Sequence, residues 1–317
     1  MQQLQPQLNQ PLVIHEQADP FYRSAKGLSQ SAMKDLLVSP AHFLARHGPD
    51  AEPFFPTKAM TDGTAIHHRV LEPDSFDDVY ANKGDKPKEP TVPELKALCK
   101  EAGHEVTSSM KKADLEALMW PKGKPTDKRI LLDAETYRMV RLAADAIRTH
   151  DITGEWFCPG APDYRKHNEV SLYVKHENGQ IIKGRIDRLD TSGEVIKILD
   201  LKTTADASPR QFQRTMVNLN YDLQAAWYTN LVRRAFPGRP VEFYFVALER
   251  KAPYGISIFR ASESMLLSGQ RKMDKALDLY CQCEALNYWP SYEPVIHELE
   301  MPAWAAVGEE EPEEALI

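Results

Sequence analysis

The stretch VIKILDLKTT, residues 195–204, has the composition of a buried β-strand but carries two charged side chains. Because successive side chains of a strand point to opposite faces, Asp200 and Lys202 share one face, and Leu199 and Leu201 pack on the other. Burying a carboxylate or an ammonium costs free energy unless the charge is paired or bound. The stretch therefore indicates either an ion pair or a functional site on a core strand.

The preceding segment, IIKGRIDRLD at residues 181–190, places Arg185 and Asp187 on one face of a second strand. The turn TSG between the strands is short, which predicts antiparallel neighbours with Asp187 beside Asp200. Two carboxylates at close range repel and raise each other's pKa, unless a divalent cation lies between them. Oxygen ligands of this kind suit Mg²⁺ or Mn²⁺.

A cation held by Asp187 and Asp200 could bind a phosphodiester oxygen and lower the pKa of a bound water. Lys202 points at the same place, where it could orient or deprotonate that water or neutralise charge on the phosphate. The alternative from these residues alone is a salt bridge between Asp187 and Lys202, since the spacing Asp-x-Lys is common.

Composition limits the class of protein. The 317 residues suffice for one large domain or two smaller ones, and 42% apolar with 27% charged residues is typical of a soluble globular protein. No apolar run is long enough to span a membrane. The N-terminus, MQQLQPQLNQP, has no signal-peptide pattern, and residues 1–26 are predicted to be a flexible tail. A disordered acidic tail is predicted at 306–317.

The formal net charge of −7 argues against a protein that coats nucleic acid non-specifically, but it permits a local DNA channel. The cysteines are Cys99, Cys158, Cys281 and Cys283. Only the last two are close, and C-x-C alone is a poor zinc signature. We expect reduced, structural thiols, as in a cytoplasmic protein.

The order of predicted elements indicates an α/β or α+β domain around one mixed sheet flanked by helices. Helices are expected over 27–46 with a break at Pro40, and over 60–72, 131–149, 208–235 with a break near 218–221, and 262–284. Strands are expected over 168–175, 181–190, 195–203, 241–249 and 255–260.

Residues 83–128 differ in character from the rest of the chain. Flanks rich in Lys and Pro enclose two short amphipathic helices, one on Leu95, Leu98 and Cys99 and one on Leu115 and Leu118. The segment contains ten Lys against eight Asp plus Glu, so it is net positive in an acidic chain. It is predicted to be an inserted helix–extended–helix module.

Four motifs in order, GTAIH (63–67), GRID (184–187), LDLKTT (199–204) and QAAWY (224–228), resemble the PD-(D/E)XK nuclease superfamily. Within it the sequence resembles the RecB-like branch and its RecE relatives, the exodeoxyribonuclease VIII type. The opening LSQSAMKDLLVSPAHFLA and the ending YWPSYEPVIHELEMPAWA add to this likeness. The resemblance covers residues 27–305, interrupted by the module at 83–128, and implies a restriction-endonuclease-like core.

The resemblance implies a role for each matching residue. Asp187 and Asp200 match the metal-binding acids, Lys202 matches the catalytic lysine, and the main-chain carbonyl of Leu201 is a further ligand. His67 matches the metal-binding histidine, and His68 is its rival because a helix turns about 100° per residue. Without the motif, a lone histidine here would equally suit the core.

The remaining matches concern the substrate. Gln224 and Tyr228, four apart on one helix face, match the QxxxY motif at the active site or the DNA backbone; plain packing is the alternative. Arg185 and Thr203 are further candidates for substrate binding. Glu169, at the start of its strand, could be an outer metal ligand or a solvated strand end.

The resemblance implies a Mg²⁺-dependent exonuclease, with Mn²⁺ as a substitute, that degrades linear double-stranded DNA from 5′ to 3′. The 3′ strand left behind would serve a RecT-like annealing protein in phage or prophage recombination. A homo-oligomer such as a ring is expected, and no membrane partner. A non-catalytic DNA-binding protein and an endonuclease of the same fold are the alternatives.

Two further expectations concern the cysteines and the module. Some RecB-like nucleases carry an iron–sulfur cluster on four cysteines; this chain has only Cys281 and Cys283 near its C-terminal end, so we predict no cluster. The module resembles SAP or HeH-type modules, many of which bind DNA. Lys111 and Lys112 would then contact phosphates. The alternative is a solvated helical hairpin.

Overall fold

A mixed β-sheet with helices on both faces forms the centre of the computed structural model, which describes residues 10–85, 90–121, 128–157 and 167–301. The strands, numbered along the chain, are β1 (Leu12–Ile14), β2 (Leu28–Ser29), β3 (Tyr80–Asn82), β4 (Ile130–Leu132), β5 (Asn168–Lys175), β6 (Ile181–Asp190), β7 (Ile196–Thr204), β8 (Val241–Glu249) and β9 (Ile256–Arg260).

The helices are numbered in the same way. They are α1 (Asp19–Ser24), α2 (Gln30–Val38), α3 (Pro40–His47), α4 (Lys58–Leu71), α5 (Phe76–Val79), α6 (Val92–Glu101), α7 (Lys112–Met119), α8 (Ala134–Thr149), α9 (Thr153–Trp156), α10 (Pro209–Asn218), α11 (Tyr221–Ala235) and α12 (Glu263–Leu286). The predicted helices and strands of the core are present, with differences at their ends.

The large sheet has the order β1-β5-β6-β7-β8-β9, and β2 also pairs with β6. Strands β7 and β8 are parallel, and the other neighbours along that order are antiparallel. Parallel strands need a crossover connection, which α10 and α11 provide. The predicted mixed sheet is therefore confirmed.

Two apolar cores lie on the two faces of this sheet. Helices α2, α11 and α12 pack on one face, where Ile198 and Trp227 are buried. Helices α4 and α8 pack on the other face, where Leu199 and Leu201 are buried. The alternation read from residues 195–204 thus places Asp200 on the α11 face of β7, as its neighbours require.

Strand β6 changes its partner along one edge. Strand β7 pairs with it at Arg188–Asp190, whereas β2 pairs with it at Ile182 and Lys183. Residues 184–187, the GRID motif, lie between these two pairings, and the sheet opens there. Backbone groups at such a gap need other partners, so side chains and ligands can approach them.

The break between α2 and α3 lies at Pro40, as predicted. Ser39 is extended, with φ −167° and ψ 156°, because the residue before a proline avoids the helical region. Pro40 then occupies the first position of α3, where no backbone N–H is needed. The hydroxyl of Ser39 accepts a hydrogen bond from the backbone N–H of His42 at 3.3 Å.

The helix predicted over 131–149 begins later, at Ala134. Asp133 caps it by accepting a hydrogen bond from the backbone N–H of Thr136 at 2.8 Å. The apolar residues before the cap form β4, which pairs with β3 in parallel. A short apolar run is compatible with either a helix or a strand. Here, pairing with β3, which is distant in sequence, makes it a strand.

The prediction of a flexible tail over 1–26 is wrong within the described residues 10–26. Strand β1 pairs with β5, and α1 follows it. The buried side chain of Lys183 donates hydrogen bonds to the carbonyls of Tyr22 at 3.0 Å and Ala25 at 2.5 Å. An ammonium at a helix C-terminus stabilises its orphan carbonyls, and local composition does not reveal such a distant contact.

The segment 83–128 contains α6 and α7, which share a core formed by Leu95, Cys99 and Leu115. Partly buried residues that pack against this core, such as Val106 and Trp120, come from the same segment. The paired strands β3 and β4 flank the segment and bring its two ends together. Residues 86–89 and 122–127 in its predicted linkers lie outside the described residues.

Cys99, Cys281 and Cys283 are free thiols, the first in the core of the module and the others on α12. Cys158 and the predicted acidic tail at 306–317 lie outside the described residues. Within the described part of the chain, no helix combines the length and apolarity that crossing a bilayer requires.

Gly184 lies under α11, in the gap along β6. A Cβ at this position would be 2.6 Å from Cδ1 of Leu231 and 2.8 Å from Cε1 of Tyr228. Real Cβ contacts are longer than this, so any other residue would force the side chains of Leu231 and Tyr228, or α11 itself, to shift. The glycine of the GRID motif is therefore needed for close packing.

We expect Gly184→Ala to lower the free energy of unfolding by about 1–3 kcal/mol, because the added methyl overpacks this contact. Urea denaturation monitored by circular dichroism measures the change. Gly193→Ala is the control, since Gly193 is exposed and a Cβ there comes no closer than 3.7 Å to its nearest neighbour. Equal stability of the two variants would contradict this packing.

Candidate active site

The gap along β6 brings the two predicted metal-binding acids together. Arg188 pairs with Leu199, so the antiparallel register places Asp187 opposite Asp200. The backbone ladder does not continue there, because Oδ2 of Asp187 accepts the hydrogen bond of the Leu201 N–H at 2.8 Å. A side chain thus replaces the backbone of β6 as the partner of β7, and the two strands part.

Asp200 is held from two sides. Its side chain is buried, and Oδ1 accepts a hydrogen bond from Nε2 of Gln224 on α11 at 2.7 Å. Nζ of Lys202 lies 2.5 Å from the other carboxylate oxygen, Oδ2. Gln224 therefore reaches the site as predicted, but its amide orients Asp200 and does not point freely at a substrate.

Burial governs the charges of this pair. It raises the pKa of Asp200 to about 6; Lys202 opposes this rise and the charge of Asp187 adds to it. Burial also raises the pKa of Asp187. For Lys202, burial lowers the pKa, but Asp200 and Asp187 outweigh it and the net pKa is raised. Lys202 is therefore an ammonium here, which suits charge neutralisation better than deprotonation of water.

The structure separates the two adjacent histidines. Nδ1 of His67 lies 3.7 Å from Oδ2 of Asp187. His68 instead packs against the rings of Phe76 and Tyr80, and its Nε2 is 2.9 Å from Oγ of Ser75. Burial, followed by the charge of Lys202, lowers the pKa of His67 to about 4. A neutral imidazole with a free lone pair can ligate a metal.

Glu169 lies much closer to the acid pair than a solvated strand end would. The β5–β6 register places it opposite Asp187, and its backbone is in the left-handed region with φ 49°. Burial, then the charge of Asp187, raises its pKa to about 8. The position of Glu169 could have been predicted from the hairpin turn between β5 and β6. Pairing Lys175 with Ile181 determines which residues face each other along both strands.

Arg185 is placed differently from the prediction of a substrate contact. Its guanidinium forms ion pairs with Asp19 and Glu169, each at 2.7 Å. The ring of Tyr22 lies 5.0 Å from the guanidinium carbon. A phosphate could reach Arg185 only by displacing Asp19 or Glu169, so the arginine is already engaged within the fold.

Tyr228 and Thr203 both line the groove above the acid pair. The ring of Tyr228 covers Gly184, and burial raises the pKa of its hydroxyl well above its ordinary value. The nearby charges of Tyr22, Asp200, Asp187 and Glu169 add to that rise. Oγ1 of Thr203 faces Gly63 of α4, where a Cβ would be only 2.8 Å away.

The groove has a volume of about 1830 Å³, and its described lining includes residues of α1, α2, α3, α4, α11 and α12 and of the central strands. One wall carries acids, among them Glu72 and Glu169. Lys34 on α2 approaches Lys202 from another side; burial, then the charge of Lys202, lowers its pKa to about 8. Lys111 and Lys112 are not among the described lining residues; they lie in the module.

The sequence matches the PDDEXK-like domain of unknown function (DUF3799) over residues 29–295, which is more than half of the chain. The chain belongs to this PD-(D/E)XK-like family. The structure is similar to that of a protein from Eubacterium rectale described as a candidate exonuclease, with a TM-score of 0.53 and 14% identity. That match covers 84% of this chain and 87% of the other. No curated protein matches the sequence.

Members of the PD-(D/E)XK superfamily generally use divalent metals, and the donors here fit such an ion. Asp187 and Asp200 offer carboxylate oxygens, Leu201 a main-chain carbonyl and His67 an imidazole, a set suited to Mg²⁺ or Mn²⁺. Burial raises the pKa of both acids, and a bound cation would lower it again by favouring the charged carboxylates. No three His, Cys, Asp or Glu side chains are already gathered as a metal cluster among the described residues.

We expect Asp200→Asn to stabilise the metal-free protein at pH 8 by about 1–3 kcal/mol. The folded-state pKa, about 6, lies above the ordinary value of 3.8, so ionising Asp200 destabilises the fold as pH rises from about 4 to about 6. The asparagine carries no such charge, and its advantage should vanish near pH 4. Chemical denaturation at both pH values, with a chelator present, measures this.

A comparison with and without Mg²⁺ and a control variant complete this experiment. Millimolar Mg²⁺ should raise the stability of the parent but not of Asp200→Asn, because only the parent retains both acids. Asp190→Asn is the control on β6: burial raises the pKa of Asp190, but two hydrogen bonds from Ser192 outweigh it and lower the pKa overall. That variant should lose stability at pH 8. If Asp200→Asn is less stable than the parent at pH 8, burying the ionised Asp200 carboxylate does not destabilise the fold, and the prediction is wrong.

Proposed function

We propose that this protein is a metal-dependent exodeoxyribonuclease that degrades linear double-stranded DNA. The observation that carries the proposal is the facing of Asp187 and Asp200 at the gap in β6, with the ammonium of Lys202 against Asp200. The family match and the groove above these residues support a nuclease. Digestion from 5′ to 3′ and a role in recombination rest on the resemblance to RecE-type enzymes.

Each residue of the site has a separate role in the proposed phosphodiester hydrolysis. Asp187, Asp200 and the Leu201 carbonyl would hold the cation, with His67 as a further ligand. When bound, Mg²⁺ or Mn²⁺ would polarise the phosphate and make water at the site easier to deprotonate. The ammonium of Lys202 neutralises charge that develops on the phosphate. Gln224 fixes the carboxylate of Asp200 by its 2.7 Å hydrogen bond, so it positions a ligand.

Two alternatives remain open. A non-catalytic DNA-binding protein on this fold is disfavoured because Asp187, Asp200 and Lys202 are all present and gathered in one place. An endonuclease would use the same residues, and the groove geometry does not discriminate between an internal site and a strand end. The shape of the DNA substrate therefore has to decide between these activities.

The partners are proposed on the same basis. Double-stranded DNA is the substrate, and a RecT-like annealing protein would receive the 3′ strand. A homo-oligomer, in one arrangement a ring, would keep the enzyme on its substrate in the cytoplasm. The module at 83–128 would add a second DNA contact through Lys111 and Lys112. Lys112 forms an ion pair with Glu116 at 3.9 Å, which a phosphate would have to compete with.

End-labelled linear duplex and closed circular duplex, each with Mg²⁺, test the proposed activity. We expect the linear DNA to be digested from its ends, with the 5′ label released first, and the circle to survive until it is linearised. Asp200→Asn should lose at least about 100-fold in rate, because one acid of the metal site is removed. Cleavage of the intact circle would establish an endonuclease, and binding without cleavage would establish the non-catalytic alternative.

Replacing residues 86–126 by a linker should leave a folded nuclease, because α6 and α7 bury their own core. The parallel strands β3 and β4 require the linker to run back along them, so about eight Gly and Ser residues are needed. We expect a raised KM with kcat spared, and a flatter salt dependence of DNA binding. Thermal unfolding and steady-state digestion measure these effects.

Point variants test the same contact in the full chain. Lys111→Ala with Lys112→Ala should reduce the salt slope by about two, as expected for two phosphate contacts. Lys100→Ala, on α6, is the control and should leave binding unchanged. An insoluble deletion would mean that the segment belongs to the core. An unchanged salt slope would mean that the module does not bind DNA through these lysines.

A further inference from the structure

Arg250 lies at the end of β8, next to the strand that carries Asp200 and Lys202. Its backbone N–H donates a hydrogen bond to the carbonyl of Thr204, at the end of β7, at 3.1 Å. Arg250 lines the same groove as Lys202 and Thr203. No motif in the sequence singled out this residue.

The backbone that carries Arg250 is fixed on both sides. The N–H of Glu249 donates to the carbonyl of Gly255 at 2.9 Å, and the N–H of Tyr254 donates to the carbonyl of Lys251 at 2.7 Å. The side chain of Glu249 also accepts a hydrogen bond from the N–H of Ala207 at 3.0 Å. The turn thus holds Arg250 at a set position relative to β7.

Among the described residues, the guanidinium of Arg250 lacks the acidic partners that Arg185 has. Its Nε is buried and has no acceptor among the described residues. Nε of Arg69 and Arg188 share this feature, but those side chains donate elsewhere, to the carbonyl of Pro73 and to Oδ1 of Asn168. Within the described ranges Arg250 also has no carboxylate at ion-pair distance, whereas Arg185 has two.

A partly buried cation without an anion costs free energy, so an anion that enters the groove should bind there. We infer that Arg250 binds a phosphodiester group of the DNA strand in the active-site groove. This inference rests on the proposed nuclease function and names a further substrate-binding residue for it. Guanidinium matches phosphate with two parallel hydrogen bonds, which a lysine cannot reproduce.

The position of Arg250 also indicates which phosphate it binds. Ala247 pairs with Lys202, and Arg250, which directly follows β8, is three residues further along the chain, or about 10 Å in the direction of the strand. Allowing for the length of the side chain, the phosphate lies roughly one or two nucleotides from the one that Lys202 contacts. It lies on the side of β7 away from β6, and thus away from the acidic wall at Glu169.

Substitution of Arg250 tests the inference, with Lys251 as the matched control. Lys251 belongs to the same turn and carries the same charge, but it is exposed and is not among the described lining residues. Fluorescence anisotropy of a short labelled duplex in a chelator gives Kd without cleavage, and digestion in Mg²⁺ gives KM and kcat. Both are measured on the full chain at several salt concentrations.

We expect Arg250→Ala and Arg250→Gln to weaken binding and raise KM roughly 10- to 100-fold, with a smaller change in kcat. The salt slope of binding should fall by about one, since one phosphate contact is lost. Arg250→Lys should recover only part of the affinity. Lys251→Ala should bind within about two-fold of the parent.

Three results separate the possible failures. If the parent neither binds nor cleaves DNA, the proposed function fails. If the parent does both and the Arg250 variants behave like Lys251→Ala, the proposed function stands and the assignment of Arg250 is wrong. If Arg250→Ala and Arg250→Gln both unfold while Arg250→Lys is as active as the parent, the arginine is structural and the inference is also wrong.

Discussion

The change of partner along β6 is the constraint on which the site depends. The pairing of β7 with β6 stops at Arg188. On the same edge of β6, pairing with β2 begins at Lys183. Between these points the N–H of Leu201 would lack a partner if the Asp187 carboxylate did not accept its hydrogen bond. One side chain therefore closes the break in the sheet and also enters the site, which ties the fold and the chemistry to a single residue.

The charges around the gap are unbalanced in a way that favours a cation. Burial raises the pKa of Asp187, Asp200 and Glu169, although Lys202 and Arg185 lie against two of them. Clusters of shifted acids in a groove are typical of sites that bind a charged ligand. Burial is the main cause of these raised pKa values, and a divalent metal would offset it by favouring the charged carboxylates.

The walls of the groove also differ in charge. Helix α1 contributes Asp19 to the acidic side and is held there by Lys183 and Arg185. Arg250, which lines the groove just after β8, supplies positive charge, and Lys34 on α2 lies near Lys202. Under the proposed function, a DNA strand would be attracted to the side of Arg250 and repelled by the side of Glu72 and Glu169. Such an arrangement fixes the orientation of a polyanion without requiring a basic protein.

The sequence by itself determined the elements whose signals are local. Alternation set the faces of β6 and β7 and so predicted Asp187 beside Asp200, and Pro40 set the break between α2 and α3. These features follow from strand periodicity and backbone sterics, which act over a few residues. The choice between His67 and His68 also came from the motif, and the structure places His67 at Asp187.

Tertiary structure decided what depends on distant partners. It showed that residues 10–26 are ordered against β5 and Lys183, that Arg185 is already paired with acids, and that Glu169 faces Asp187. It also placed Arg250 in the groove with no anionic partner among the described residues. A side chain's electrostatic role depends on which charges the fold brings within a few ångströms of it, and a local pattern of residues does not contain that information.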